Sequence, residues 1–173
     1  IEIGKHWSSY FPSVTFLSPN GPEECDMNPS GRQWFSIDHQ NPKNMNIGLE
    51  KAYLDLENYI SNKIKDYNIL PSNFAVVGFS QGTMLALHLS IRLKCLGIIG
   101  YSGAYIENKL PVTIIKNDIL LLHGKKDEVV PISRMYEAYN FLKPLSCSIK
   151  NVVSENLAHS IDIEGLDKGK DFL

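Results

Sequence analysis

The segment Phe74-Ala75-Val76-Val77-Gly78-Phe79-Ser80-Gln81-Gly82 indicates the fold class, because it joins an unbroken apolar run to the start of a helical pattern. The apolar side chains from Phe74 to Gly78 do not alternate with polar ones, which is typical of a strand covered on both faces in a parallel sheet. A helix is predicted directly afterwards, from about Gln81 to Leu93. A strand that passes into a helix through a short turn is the repeating unit of α/β proteins.

Short apolar runs alternate with amphipathic segments along the rest of the chain. Helices are predicted at about Met45 to Tyr67, Ser133 to Phe141 and Ile161 to Phe172, and strands at Leu96 to Gly100, Ile119 to Leu122 and Ser148 to Val153. A further short strand, Val14 to Leu17, precedes a surface excursion that is rich in Pro, Gly, Ser and Asn and extends to Pro42. The alternation predicts an α/β fold with a mostly parallel sheet, helices on both faces, and a single domain spanning residues 1–173.

The composition is that of an ordinary globular domain and excludes several classes of protein. The 173 residues are 43% hydrophobic and 21% charged, and their net charge of −2 gives no basic field that would favour nucleic acid. The longest apolar runs fall far short of the roughly 20 residues that cross a bilayer, so no integral membrane association is expected. Cys25, Cys95 and Cys147 are too few and too scattered for a disulfide framework or a paired metal site, which favours a cytoplasmic location and no metal.

The segment Gly78-Phe79-Ser80-Gln81-Gly82 has the G-x-S-x-G pattern of a nucleophile elbow, in the strand-to-helix context that this turn requires. We expect a Cβ atom at either glycine to collide with neighbouring backbone, and the sharp turn to hold the Ser80 hydroxyl clear of the sheet. The turn also directs the backbone N–H of Gln81 and the positive end of the following helix to the same point, where an oxyanion could be stabilised. A pattern this loose also occurs by chance, and a serine nucleophile needs a base and an orienting acid.

Asp127 is the candidate acid, because it lies in the loop that follows the strand Ile119 to Leu122. Open α/β sheets build their sites at the carboxyl ends of their strands. The alternative is that this aspartate is a helix N-cap or a turn residue. His123 lies too close to the strand for the catalytic histidine, and we assign it a structural hydrogen-bonding role.

His159 is the candidate base, because it follows the last predicted strand. The other three histidines are placed differently: His6 and His39 precede the elbow, and His88 falls within the helix after it. The chain order of Ser80, Asp127 and His159 is the Ser, Asp, His order of the α/β-hydrolases.

Five segments together resemble the phospholipase/carboxylesterase family, which includes bacterial carboxylesterases and the acyl-protein thioesterases, also described as lysophospholipases. The segments are Leu17 to Glu23, Gln33-Trp34-Phe35, Gly78 to Gly82, His123 to Pro131 and Ala158-His159. The similarity extends from about Val14 to the C-terminus. It implies an α/β-hydrolase fold and a cofactor-independent serine hydrolase that acts on carboxylic esters or acyl thioesters.

The resemblance also implies the role of each site residue. Ser80 would be the nucleophile, His159 the general base and then acid, and Asp127 the carboxylate that orients it. The N–H of Gln81 would be one oxyanion donor, and Trp34 would bind substrate beside Phe35. For these two aromatic residues we favour the alternative of core packing. The implied partner is a small-molecule, lipid or other acyl ester, and the sequence leaves a homodimer open.

One departure from the family concerns the start of the chain. Family members begin with a strand ending in a His-Gly-x-Gly-type loop, whose backbone supplies the second oxyanion N–H. Nothing of this kind precedes Val14, and the first residue is Ile1 rather than Met. The expectation is therefore that the natural protein extends further at its N-terminus. The alternative is an α/β-hydrolase-fold binding or regulatory module that has lost this loop and much of its activity.

Overall fold

A computed structural model describes residues 2–26, 28–37 and 41–173 of the chain. Its elements in chain order are α1 (Glu2–Trp7), β1 (Glu23–Cys25), β2 (Asn28–Gln33), α2 (Pro42–Asp66), β3 (Val76–Phe79), α3 (Gln81–Leu89), β4 (Ile98–Tyr101), β5 (Asp118–Gly124), α4 (Ser133–Leu142), β6 (Ser148–Ser154) and α5 (Ile163–Phe172). Two 3₁₀ turns, Pro71–Asn73 and Lys143–Leu145, precede β3 and β6.

Four parallel strands form the central sheet in the order β3-β4-β5-β6. Because parallel strands place their carboxyl ends at the same edge, the loops that follow β3, β4, β5 and β6 meet on one side of the molecule. The strands β1 and β2 form a separate antiparallel pair. This arrangement brings the three candidate catalytic residues to the same edge of the sheet.

Alternating residues of the two central strands enter two separate cores. Ile98, Ile119 and Leu121 pack into the larger core, to which α2, α3 and α4 also contribute. Leu120 and Leu122 face the other side, where Trp7 of α1 and Phe172 of α5 pack. Helices therefore cover both faces of the sheet, and the α/β fold class predicted from the sequence is confirmed.

The strand predicted at Val14 to Leu17 is wrong. These residues have no regular secondary structure, and the side chains of Val14 and Leu17 are 53% and 43% exposed. A β-prone run becomes a strand only where a neighbouring strand accepts its backbone hydrogen bonds. Among the described residues, no strand pairs with this run, and its Phe16 side chain packs instead against the core that contains Trp7.

The helix predicted to reach Leu93 ends at Leu89. The backbone that follows it is hydrogen-bonded to the side chain of Asn117. This asparagine is fully buried just before β5. Its Nδ2 donates to the carbonyl oxygens of Ser90 and Leu93, at 2.7 and 2.9 Å, and its Oδ1 accepts from the N–H of Cys95 at 3.0 Å. One side chain thus satisfies three backbone groups of the segment that follows the helix.

Replacing Asn117 with Ala is expected to lower the free energy of unfolding by about 3 kcal/mol, because buried backbone groups that lose a partner each cost about 1–3 kcal/mol. Chemical denaturation monitored by circular dichroism would measure the loss. Asn151→Ala, at an exposed position on β6, is the matched control and should change stability by no more than about 0.5 kcal/mol. Equal losses in the two variants would contradict the role given to Asn117.

Candidate active site

Ser80 occupies a strained turn between β3 and α3. Its backbone angles, φ 53° and ψ −115°, lie where residues other than glycine are rarely found. The Ser80 N–H donates to the carbonyl oxygen of Tyr101 at 2.9 Å, which ties the turn to the end of β4. A Cβ atom at Gly78 would collide with the backbone of Gly82 and Thr83, as expected. The collision expected at Gly82 itself is wrong, because open space surrounds the position of its Cβ.

The structure brings Ser80, His159 and Asp127 together in one line of hydrogen bonds. The Nε2 atom of His159 lies 3.0 Å from the Ser80 Oγ, and its Nδ1 lies 2.7 Å from the Asp127 Oδ2. With the ring proton on Nδ1, the imidazole donates to the carboxylate and accepts from the serine hydroxyl. This arrangement can move a proton from Ser80 to His159.

The Asp127 carboxylate is fully enclosed and has a partner at both oxygens. Its Oδ1 accepts from the N–H groups of Val129 and Val130, at 3.0 and 2.8 Å, and its Oδ2 accepts from His159. Burial by itself would raise the pKa of Asp127, but the hydrogen bonds from His159, Val130 and Val129 together hold it below the usual value. The residue is therefore both a turn residue and a charged partner of the histidine.

His123 is buried and lies beside the same carboxylate. Its Nε2 is 2.8 Å from the carbonyl oxygen of Val130, consistent with the structural role expected from the sequence, and 3.3 Å from the Asp127 Oδ2. The second contact was not predicted, although the spacing of four residues across a tight loop permits it. The loop after β5 is thus fixed by hydrogen bonds on both sides of Asp127.

Gln81 begins α3, so its backbone N–H is among the first four of the helix, which have no acceptor within it. Its side chain contacts the Trp34–Phe35 segment: Oε1 accepts from the Trp34 N–H at 2.8 Å and Nε2 donates to the Phe35 carbonyl oxygen at 2.7 Å. Phe35 is fully buried in the larger core, and Trp34 is half-buried against that core. Core packing thus applies to both residues, and Trp34 is in addition attached by its backbone N–H to the Gln81 side chain.

Two residues that the sequence analysis did not select also contact the site. The ring of Phe79 lies against the His159 imidazole, with 4.9 Å between ring centroids and a 41° tilt. Ser102, directly after β4, has φ 46°, and its Oγ donates to the carbonyl oxygen of Ser160 at 3.3 Å. Their position in the sequence could have indicated both residues, because each lies where a strand ends at the edge of the sheet that carries the candidate site.

The remaining histidines lie elsewhere, or outside the described residues in the case of His39. His88 is fully buried in α3, with Nε2 3.0 Å from the Glu50 Oε2. Burial, followed by the positive charge of Arg92, lowers the pKa of His88 to about 4, so the ring is neutral at physiological pH.

Among the described residues, no group of three or more His, Cys, Asp or Glu side chains could hold a metal ion. No described helix is long and apolar enough to cross a membrane.

Comparison with known proteins places this geometry in a family. A profile described as Phospholipase/Carboxylesterase matches residues 3–173. Esterase YpfH of Escherichia coli K12 is 27% identical over 176 residues, which cover 99% of this chain and 74% of that protein. Acyl-protein thioesterase 1 of Saccharomyces cerevisiae is 31% identical over 166 residues, which cover 87% of this chain and 72% of that protein.

The solved structures give the same result. The crystal structure of esterase PE8 matches with a TM-score of 0.91 and 32% sequence identity, over 99% of this chain and 83% of that one. The family resemblance stated from the sequence motifs is therefore confirmed, and the chain belongs to the phospholipase/carboxylesterase family of carboxylic ester hydrolases.

Proposed function

We propose that this protein hydrolyses carboxylic esters or acyl thioesters through an acyl-enzyme on Ser80. The single observation that supports the proposal most strongly is the line of hydrogen bonds from the Ser80 Oγ through His159 to Asp127, at 3.0 and 2.7 Å. The serine lies on a strained turn at the edge of the sheet, its hydroxyl contacts His159, and Asp127 contacts the other side of that imidazole. Each of these features is a requirement of nucleophilic catalysis by serine.

In the first half of the reaction, the Ser80 Oγ attacks the acyl carbonyl carbon while His159 takes the hydroxyl proton. The carbonyl oxygen becomes an oxyanion, and the proposed donor to it is the N–H of Gln81 at the start of α3. The tetrahedral intermediate then collapses, and the bond to the alcohol or thiol breaks. The imidazolium returns its proton to the leaving group, so the acyl group remains as an ester of Ser80.

In the second half, a water molecule takes the place of the leaving group. His159 removes a proton from that water, whose oxygen attacks the acyl carbon. Collapse of the second tetrahedral intermediate releases a carboxylic acid and returns the proton to the Ser80 oxygen. Asp127 stays ionised throughout, because its hydrogen bonds hold its pKa below the usual value, and its charge stabilises the imidazolium.

The apolar residues around the serine favour an acyl ester as the substrate. Phe79, directly before Ser80, is 38% exposed, and Val129, two residues after Asp127, is 69% exposed. Trp34 is half-buried. Exposed apolar side chains next to a polar reaction centre favour binding of a hydrocarbon chain. The match to a yeast protein named acyl-protein thioesterase 1 supports including thioesters in the proposal.

Ser80→Ala is expected to reduce hydrolysis of p-nitrophenyl butyrate by at least about 10³-fold, because the members of a triad act as a unit. The variant should also lose labelling by a fluorophosphonate probe, which reacts only with an activated serine. Ser72→Ala removes an exposed hydroxyl from a 3₁₀ turn. This control variant should keep both the hydrolysis of the ester and the labelling by the probe. Complete inertness of the wild type toward the probe would instead favour a binding module.

Asp127→Asn is expected to lower kcat by about 10³- to 10⁴-fold while changing KM little, because the amide favours the wrong histidine tautomer and cannot balance the imidazolium charge. Steady-state kinetics with the same ester would measure the change. Circular dichroism of the variant should match that of the wild type, which separates a catalytic loss from unfolding. A kcat within tenfold of the wild-type value would contradict the role assigned to Asp127.

The ionisation of Asp127 also predicts how stability depends on pH. Its pKa is lower in the folded protein than in the unfolded chain, so its charge-dependent stabilisation is complete above about pH 4, the ordinary value for Asp. That contribution is lost as the pH falls through the lower folded value. The excess stability of the wild type over Asp127→Asn should therefore be constant near neutrality and should shrink below about pH 4.

Urea denaturation at a series of pH values would measure this difference. Asp55→Asn, at an exposed position on α2, is the control, and its difference from the wild type should show no comparable pH dependence. A difference between the wild type and Asp127→Asn that grows on acidification would contradict the ionised assignment.

A further inference from the structure

The side chain of Gln81 connects the nucleophile turn to a segment more than forty residues earlier in the chain. Its Oε1 accepts from the Trp34 N–H at 2.8 Å, and its Nε2 donates to the Phe35 carbonyl oxygen at 2.7 Å. One acceptor and one donor thus bind backbone groups of two consecutive residues. No single step of the mechanism above uses this side chain.

The Trp34–Phe35 segment has little other regular structure to hold it. It follows β2, whose only partner strand among the described residues is the three-residue β1. Phe35 is anchored by its buried ring, and a Cβ atom at Gly21 would collide with the backbone of Gln33 and Trp34. The Gln81 amide therefore supplies the direct tie between Trp34 and the catalytic turn.

We propose that Gln81 is a positioning residue whose side chain fixes Trp34 beside Ser80 as a wall for the acyl chain of the substrate. This inference rests on the proposed function and deepens it. The backbone N–H of the same residue is the proposed oxyanion donor, so Gln81 connects the reacting carbonyl to the wall. Acyl chains long enough to reach Trp34 should depend on the tie more strongly than an acetyl group does.

The chemistry of the contact explains why a glutamine is required. The contact needs a donor and an acceptor at the end of a side chain of this length, and only a primary amide supplies both. A glutamate in its place could still accept from the Trp34 N–H but would oppose the Phe35 carbonyl oxygen with a negative charge. A methionine of similar length would make neither bond, while any residue here keeps the backbone N–H.

The test compares Gln81→Met and Gln81→Glu with the wild type in two measurements. The ratio of kcat/KM for p-nitrophenyl octanoate to that for the acetate should fall about tenfold in both variants, mainly through KM. Hydrogen exchange of the Trp34 backbone amide, followed by NMR, should accelerate at least tenfold in Gln81→Met and less in Gln81→Glu. If Gln81→Met does not fold, the nearly isosteric Gln81→Glu still allows the comparison of kcat/KM values for the two esters.

A double-mutant cycle with Trp34→Ala distinguishes action through Trp34 from a general loosening of the site. In the Trp34→Ala background, Gln81→Met should change the ratio of kcat/KM for the octanoate to that for the acetate by no more than about twofold, because the wall is already absent. Wild-type values of both the ratio and the exchange rate in Gln81→Met would overturn the proposal. Faster exchange with an unchanged ratio would overturn the assignment of Trp34 as the acyl wall.

The two proposals can fail separately. A wild-type protein without Ser80-dependent turnover would overturn the proposed function and, with it, the acyl wall. The exchange rates would still show whether Gln81 holds the segment. Normal turnover by the wild type, together with additive effects of Gln81→Met and Trp34→Ala on the ratio, would overturn only the positioning role.

Discussion

The strained backbone of Ser80 is the constraint on which the rest of the site depends. A residue with φ 53° persists only where its surroundings fix it, and here the N–H of Ser80 is held by the Tyr101 carbonyl oxygen at the end of β4. Gly78 allows the turn to approach the backbone of α3 closely. The result is a hydroxyl at the carboxyl edge of the sheet, where the loops that carry Asp127 and His159 also end.

Hydrogen bonds and ring contacts from neighbouring residues hold the other residues of the site in place. The Asp127 loop is fixed by two backbone N–H groups and by His123, and the His159 imidazole is contacted on its face by Phe79. Ser102, a second residue with positive φ, tethers the residue that follows His159. The candidate catalytic residues are thus held by backbone N–H groups and by neighbouring side chains, which favours a site organised before substrate binds.

The sequence predicted the parts of this structure that depend on local pattern. The apolar run before Ser80 and the order of the three catalytic candidates were enough to place them at one sheet edge. The strand prediction for Val14 to Leu17 was wrong because strand formation depends on a partner strand, which local propensity does not reveal. The contacts between Gln81 and the Trp34–Phe35 segment could not be predicted because they join side chain to backbone across more than forty residues.

In the proposed reaction, the acyl group passes through a covalent ester of Ser80. Mass spectrometry of the wild-type protein, quenched in acid during turnover of p-nitrophenyl acetate and then digested, would detect this ester. We expect a peptide that contains Ser80 with the mass of one added acetyl group, and its absence from Ser80→Ala. Sustained turnover with no acetylated Ser80, or with the acetyl group only on another residue, would contradict it.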